Sequence, residues 1–412
     1  MNRYWLAAAS AALLFASGWA QAQTITTVGP GFSFDSEALV GTNPPTTGTT
    51  GGLTVVPHAF GRSVFVGVGP AFDDAASALV RFDQRLGAAG DWEVFRMTTL
   101  ATGFTSISGA FFDSRGFNPF DGTGGTLYWV DNGLVFNSEE IGDGVFALPS
   151  PVVADTTVSG ATLAVSAAGS TPSASDITRA PVPITVAGVG DFPAGTLLVS
   201  ATPFGAGESL FVVQPDTGAV SAAGFDAVPG YAGGVAFDAA GVFYFAYTDA
   251  MSGAAVQLGF SPGAIDFANP AFTRTGNGSS DIAFGDATGN GREDMILAGG
   301  SNAGFTECNI VAVDLLTGVT TTLFEGAPST TNPFGCFTGA VAWDRGYRDL
   351  LFTDGVGVTG ELYELDGNPR RRRRHSSGCD VVAGPVDGAM TWFALALPGA
   401  LLLARRARAD GR

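Results

Sequence analysis

Apolar residues gather along the chain in short runs of five to seven, separated by Gly, Asp, Asn, Ser and Thr. That rhythm predicts β-strands joined by tight turns rather than helices, because strands are short and punctuated by turn formers. A two-part unit recurs: a strand of small apolar residues ending at Asp or Gly, a turn, then a strongly apolar strand. Gly233-Gly234-Val235-Ala236-Phe237-Asp238 precedes a run over Val242–Tyr247. Gly339-Ala340-Val341-Ala342-Trp343-Asp344 precedes Asp349–Asp354. Ser108–Asp113 precedes Thr126–Asp131, and Ser280–Gly285 precedes Met295–Ala298. A third strand recurs too, at Leu210–Gln214 and Ile310–Asp314, closed by Asp216-Thr217-Gly218 and Leu316-Thr317-Gly318, with a degenerate copy at Leu79–Asp83. Glycine accepts the positive φ of such turns.

The strongly apolar strands begin near Val64, Thr126, Thr196, Val242, Asp294 and Asp349. One four-stranded unit per step predicts an all-β, propeller-like repeat domain of about six blades. The last unit has Glu361–Leu365 but no fourth strand after it. Thr24–Val28 is the strand expected to fill that place and close the ring. The stretch from Pro151 to Ala187 fits the repeat poorly and reads as an insertion or a drifted blade. Residues 41–52 read as a flexible Pro/Thr/Gly segment.

Both ends depart from this pattern. Arg3, an apolar run from Trp5 to Trp19 and Ala20-Gln21-Ala22 form the three parts of a secretory signal, with cleavage expected after Ala22. At the other end, Arg370–Arg374 precede Cys379, and an apolar segment from Ala389 to Ala404 leads into Arg405, Arg406, Arg408 and Arg412. Arginines after an apolar stretch hold that end on the cytoplasmic side. The divisions are therefore 1–22 signal peptide, 23–52 N-terminal strand and flexible segment, 53–366 propeller-like body, 367–388 Arg-rich linker, and 389–412 apolar helix with Arg tail.

The order Cys, apolar helix, Arg cluster resembles the bacterial protein-sorting tails of the MYXO-CTERM and JDVT-CTERM type, over the last 34 residues. The residues around Cys379 match no single motif of those families. The resemblance implies an intramembrane protease as partner, Cys379 as the processing or lipid-attachment residue, and a protein anchored at the envelope or released from it. A short C-terminal anchor with an incidental Cys is the plainer reading.

Composition sharpens the picture. All 20 basic residues are Arg. Between Gln23 and Pro369 there are 10 Arg against 35 Asp plus Glu, a net charge of −25. Such a body repels nucleic acid and anionic headgroups, which excludes a nucleic-acid partner, and it favours divalent cations. Cys308 and Cys336 form an even pair in an exported body, which reads as a disulfide, two free thiols being the alternative. With only His58 and His375 in the chain, zinc has no ligand set beside that pair.

One loop carries recognisable chemistry. Asp286-Ala287-Thr288-Gly289-Asn290-Gly291-Arg292-Glu293-Asp294 places oxygen side chains at positions 1, 3, 5 and 9, with Gly at 6, a spacing that wraps a hard cation such as calcium. A polar turn holding no ion is the alternative. The loop resembles the FG-GAP repeat of integrin-type propellers. That resemblance implies calcium ligands at Asp286, Thr288, Asn290 and Asp294, with Arg292 contributing its backbone carbonyl. Thr288 and Asn290 depart from the stronger ligands of the motif and leave two formal charges, so weak binding is expected. Asp121–Gly125 is an acidic turn without the spacing. His58, the body's one histidine, lacks the partners of a nucleophilic triad. No catalytic residue stands out. The sequence thus favours a non-enzymatic surface protein binding a protein or glycan. A secreted polysaccharide hydrolase or lyase on the same scaffold is the alternative, and paired carboxylates would be its signature.

Overall fold

Val, Ile, Leu and Phe crowd the apolar runs, and flanking sheets bury those runs on both faces. The computed structural model describes residues 25–28, 32–35, 49–69, 77–87, 92–132, 144–167, 170–171, 173–201, 209–222, 230–249, 252–276, 278–299, 308–326, 338–354 and 362–367. The signal segment, Cys336, Cys379 and the apolar tail lie outside the described residues, as does the side chain of Cys308.

Two short strands open the body, β1 (Ile25–Val28) and β2 (Ser33–Asp35). The first sheet holds β3 (Thr49–His58), β4 (Gly61–Val68), β5 (Ser77–Leu86) and β6 (Trp92–Phe104). The second holds β7 (Ile107–Asp113), β8 (Thr126–Asp131) and β9 (Gly144–Pro149). After β10 (Val158–Ser159), which pairs parallel to β6, comes a short 3₁₀ turn, Gly160–Leu163. The third sheet is β11 (Ala174–Arg179), then β14 (Leu197–Ala201), β15 (Leu210–Gln214) and β16 (Ala219–Ala222). Between its first two strands lie β12 (Ile184–Val186) and β13 (Gly190–Phe192). The fourth is β17 (Gly230–Phe237), β18 (Phe243–Asp249), β19 (Ala255–Gly259) and, beyond β20 (Ala264–Ile265), β21 (Phe272–Thr275). The fifth is β22 (Asp281–Gly285), β23 (Asp294–Ala298), β24 (Cys308–Asp314) and β25 (Thr320–Gly326). The sixth is β26 (Thr338–Asp344), β27 (Asp349–Asp354) and β28 (Leu362–Asp366).

These sheets form a β-propeller. The first strands touch in the closed order β3, β7, β11, β17, β22, β26 and back to β3, lining a central channel. Among the described residues there are seven sheets rather than the six expected from spacing. The additional one, β13-β12-β20, consists of short strands drawn from the connections of the third and fourth sheets, too brief to register as a repeat. The poorly fitting stretch from Pro151 onward supplies β10, the 3₁₀ turn and then β11, the channel strand of the third sheet.

Apolar side chains fill each gap between neighbours. Phe65, Leu79, Phe104 and Trp129 join the first and second sheets, and Val130, Ile177 and Val199 the second and third. Phe243 and Phe245 pack against Leu198 and Val212, and Tyr244 against Met295 and Leu297. Phe324 meets Phe352 between the fifth and sixth, and Val64 and Val80 meet Leu351 where the sixth returns to the first. Middle strands such as β4, β8 and β23 face a sheet on each side, so Val64–Val68, Leu127–Val130 and Met295–Ala298 within them read as continuous runs rather than alternating ones.

The chain start is used differently from the expectation. β1 pairs with β25 of the fifth sheet, Val28 opposite Phe324, and it is β2 that supplies the outer strand of the sixth, Ser33 opposite Asp366. Two consecutive short segments thus cover two neighbouring edges. Gly51 and Gly52, expected in a flexible segment, lie within β3, so the body begins before residue 53.

Candidate functional site

The loop between β22 and β23 is drawn shut by its own carboxylates. Gly285 pairs with Asp294 across the hairpin. The Thr288 amide and Oγ1 donate to Asp294 Oδ2 at 2.8 and 2.9 Å, and the Gly291 amide donates to Asp286 Oδ2 at 3.1 Å. Gly291 has φ 80°, a conformation other residues adopt at a cost. The Arg348 guanidinium donates to the Asp286 carbonyl at 3.0 Å from the neighbouring hairpin. Two oxygens stay outside this net: Asp286 Oδ1 and Asp294 Oδ1 are shut from solvent and accept no hydrogen bond, and Asp294 is fully buried.

A buried carboxylate oxygen without a donor costs free energy unless a cation or water meets it. Two in one nine-residue loop fit a hard cation. Asp286, Thr288 and Asp294 are therefore brought together. Asn290 is turned away: its Oδ1 accepts from the Arg292 amide at 2.8 Å and its Nδ2 donates to Asp314 Oδ2 at 3.1 Å. The Arg292 side chain is drawn to the same Asp314. Among the described residues no group of three or more His, Cys, Asp or Glu is arranged to hold a metal. Glu293, the loop's third acid, accepts instead from Arg345 and the Ala239 amide, which leaves Asp286 and Asp294.

The central channel carries a second acidic site. Its cavity of about 190 Å³ is bounded by Asp176 and Asp281 at the start of the channel strands and by Phe237, Phe284, Trp343 and Arg345 further along. The two acids lie close enough for the charge of Asp281 to act on Asp176. Asp176 Oδ1 accepts from the Ile177 amide at 2.7 Å, and its Oδ2 accepts across the sheet gap from Val235 at 2.8 Å. Asp281 repeats this, accepting from Ile282 and, across the next gap but one, from Val341, both at 2.7 Å. Burial pushes both carboxyls above the ordinary range, and the Asp281 charge raises Asp176 further. The neighbouring strands come close only because they lack side chains there: a Cβ on Gly109 would lie 2.5 Å from Asp176 Cα, and one on Gly234 2.6 Å from the Asp281 carbonyl carbon.

A third cluster seals the junction of the first and sixth sheets. Arg62, on β4, is fully buried. It donates to Asp344 at 3.3 Å, Asp349 at 3.1 Å, Glu364 at 2.6 Å and Gln84 at 2.7 Å. Trp92 stacks on it at 4.0 Å and donates Nε1 to Asp349 at 2.9 Å. Burial opposes the guanidinium charge, but Glu364, Asp349 and Asp344 more than offset it and hold Arg62 above its ordinary range. Burial raises Asp349 and Glu364 in turn.

His58 ends β3 with Nε2 3.2 Å from Ser63 Oγ, and burial pushes its pKa down. Asp121 accepts from the Thr123 amide and hydroxyl and from Asn118, as a turn does. Sequence reasoning singled out neither the channel acids nor Arg62. The acids did leave a signal: Ser175-Asp176-Ile177 and Ser280-Asp281-Ile282 occupy the repeat position held elsewhere by Gly233-Gly234-Val235 or Gly339-Ala340-Val341.

No protein-family model matches the chain, and comparison with curated sequences finds no relative. Several solved structures align with the chain. PhoX of Pseudomonas fluorescens, in complex with vanadate, aligns over 85% of this chain and 98% of its own at 9% identity and a TM-score of 0.47. The PQQ-bound aldose sugar dehydrogenase of Streptomyces coelicolor aligns over 82% and 99% at 14% identity and a TM-score of 0.42. A putative 6-phosphogluconolactonase of Bacteroides uniformis aligns over 74% and 78% at 12% identity and a TM-score of 0.41.

Proposed function

We propose that the chain is exported, retained at the cell envelope by its C-terminal tail, and acts there as a non-enzymatic binding domain for a protein or glycan, with calcium stabilising the loop from Asp286 to Asp294. The observation behind the binding reading is the condition of the channel acids. A glycosidase needs two carboxyls roughly 5 to 9.5 Å apart with a sugar or water between them. Asp176 and Asp281 are committed to the backbone instead: each of their four oxygens already accepts an amide. Groups so engaged hold strands together and are not free to attack or protonate a substrate. For calcium, the support is the pair of buried, undonated oxygens on Asp286 and Asp294. A bound calcium would act as an electrostatic cross-link between the two ends of the loop.

The test is co-sedimentation of the purified full chain with envelope polysaccharide and with envelope protein, while released sugar is assayed. Retention on one of these without soluble fragments is expected. Release of oligosaccharide by the wild type, abolished in Asp176→Asn, would establish a hydrolase or lyase instead. Intact mass from the native host tests the rest: a chain starting at Gln23 and altered at or before Cys379 is expected, whereas an unprocessed chain to Arg412 would remove the special role of Cys379.

A further inference from the structure

The last described residue, Gly367, lies against the hairpin between β26 and β27, where a Cβ on it would meet the Arg348 carbonyl. That hairpin belongs to a collar. Arg345 donates to Glu293 at 2.6 Å, and Glu293 also accepts from the Ala239 amide at 2.9 Å, joining the hairpins of the fourth, fifth and sixth sheets. On the other side, Gly346 approaches Pro57 beside the β3–β4 hairpin, and the Ala59 amide donates to the Pro119 carbonyl at 2.8 Å, joining the first and second. The hairpins of five sheets and the exit of the chain toward its tail therefore share one face.

This face exposes large apolar side chains. Phe60 is 69% exposed at the β3–β4 hairpin and Phe120 is 63% exposed in the next loop. Val153, beside Gly122 of that loop, is also exposed. Leu316 (76%) and Val319 (61%) project from the turn after β24, which Arg292 ties to the same collar through Asp314. Exposed rings at hairpin tips have no core to serve, and such a patch marks an interaction surface.

The sequence beyond Gly367 indicates the partner. Arg370 is three residues past the exit, within about 10 Å of it even when extended. Arg371–Arg374 follow it directly in the sequence, and the apolar run from Ala389 to Ala404 comes after them. Five cations this soon after the body in sequence supply the charge that anionic headgroups attract, which the acidic body itself lacks. Aromatic and aliphatic side chains at loop tips, next to a cationic tether leading to an apolar segment, match the requirements of a lipid interface.

We propose that the collar face lies on the lipid bilayer, with Phe60, Phe120 and Val153 seated at the boundary of headgroups and acyl chains. This rests on the tail anchoring the chain, and the opposite face is then the one offered to a ligand. The test uses the full chain reconstituted into phosphatidylcholine–phosphatidylglycerol vesicles with brominated acyl chains, which quench nearby tryptophan. Trp392, within the apolar tail, reports on anchoring, and its contribution is the difference from Trp392→Phe. In the Trp392→Phe background, Phe60→Trp and Phe120→Trp are expected to lose roughly half of their added emission, as residues at interfacial depth do. Tyr231→Trp, at the opposite end of a channel strand, is expected to lose none. Quenching of Trp392 with Phe60→Trp and Phe120→Trp no more affected than Tyr231→Trp would overturn the orientation and leave the anchor standing. No quenching of Trp392 would overturn both.

Discussion

Arg62 holds three acids in a place water does not reach. Removing one partner of a buried ionic cluster is far more damaging than never having had it, because the remaining charges stay desolvated and repel. Arg62→Met is therefore expected to destabilise the protein by about 3–5 kcal/mol, read as a lower urea midpoint at unchanged slope. A loss below about 1 kcal/mol would mean that Asp344, Asp349 and Glu364 find other donors. The channel acids yield a pH prediction. Their folded pKa values lie above the unfolded value of about 4, so the fold favours the proton-bearing form. The stability they contribute is complete below about pH 4 and declines as pH rises through the raised values. Asp131, pushed up to about 6 by burial, acts with the same sign. Urea midpoints are expected to fall between about pH 5 and pH 8. Asp281→Asn, which keeps an acceptor for the Val341 amide and removes the charge that acts on Asp176, is expected to flatten that fall. An unchanged slope in the variant would show that the pair does not set that pH dependence. At this scale little was legible in the sequence. An aspartate in a repeat reads as a turn residue, and nothing in the chain order says that Asp176 and Asp281, more than 100 residues apart, meet across a channel.

The loop from Asp286 to Asp294 was legible as a unit because the spacing of its polar residues is local. What spacing did not reveal is the outward turn of Asn290, which depends on Asp314 from a different hairpin. With two carboxylates, affinity in the range of extracellular modules is expected, about 10⁻⁴ to 10⁻³ M. At 10 mM calcium the folded state would then gain about 1.4–2.7 kcal/mol by mass action. A rise in melting temperature on adding calcium, reversed by chelator and absent in Asp294→Ala, is the expected result. A rise that survives in Asp294→Ala would place the ion elsewhere. The strands themselves were mostly legible, since each second strand carries an apolar stretch and begins within three residues of the position read from sequence. β12, β13 and β20 were not, having two or three residues each and no periodicity to detect.

On the scale of the whole molecule, the ring is closed three times over: by the contact of β26 with β3, by Arg62, and by the N-terminal strands. Removing residues 23–35 would uncover β25 and β28 and leave two open edges. Such a truncation is expected to unfold at lower urea and to associate with rising concentration, as followed by light scattering. A truncated chain that stays monomeric with the full-length midpoint would show that β1 and β2 are ornaments of the edge. The repeat made the architecture readable, but the closure was misread by one sheet, because parity fixes that an outer strand is missing and not which of two adjacent segments supplies it.

The placement of β1 and β2 also bears on the order of events when the chain folds. They leave the ribosome, and any export channel, before every other part of the body. Their partners, β25 and β28, arrive roughly 300 residues later. Intervening sheets are built from local hairpins and can assemble as they emerge, but the two outermost positions stay empty until nearly the last residue is through. The ring therefore cannot lock while the chain is still in transit. The same connection that makes the finished molecule hard to open keeps the nascent one from closing too soon.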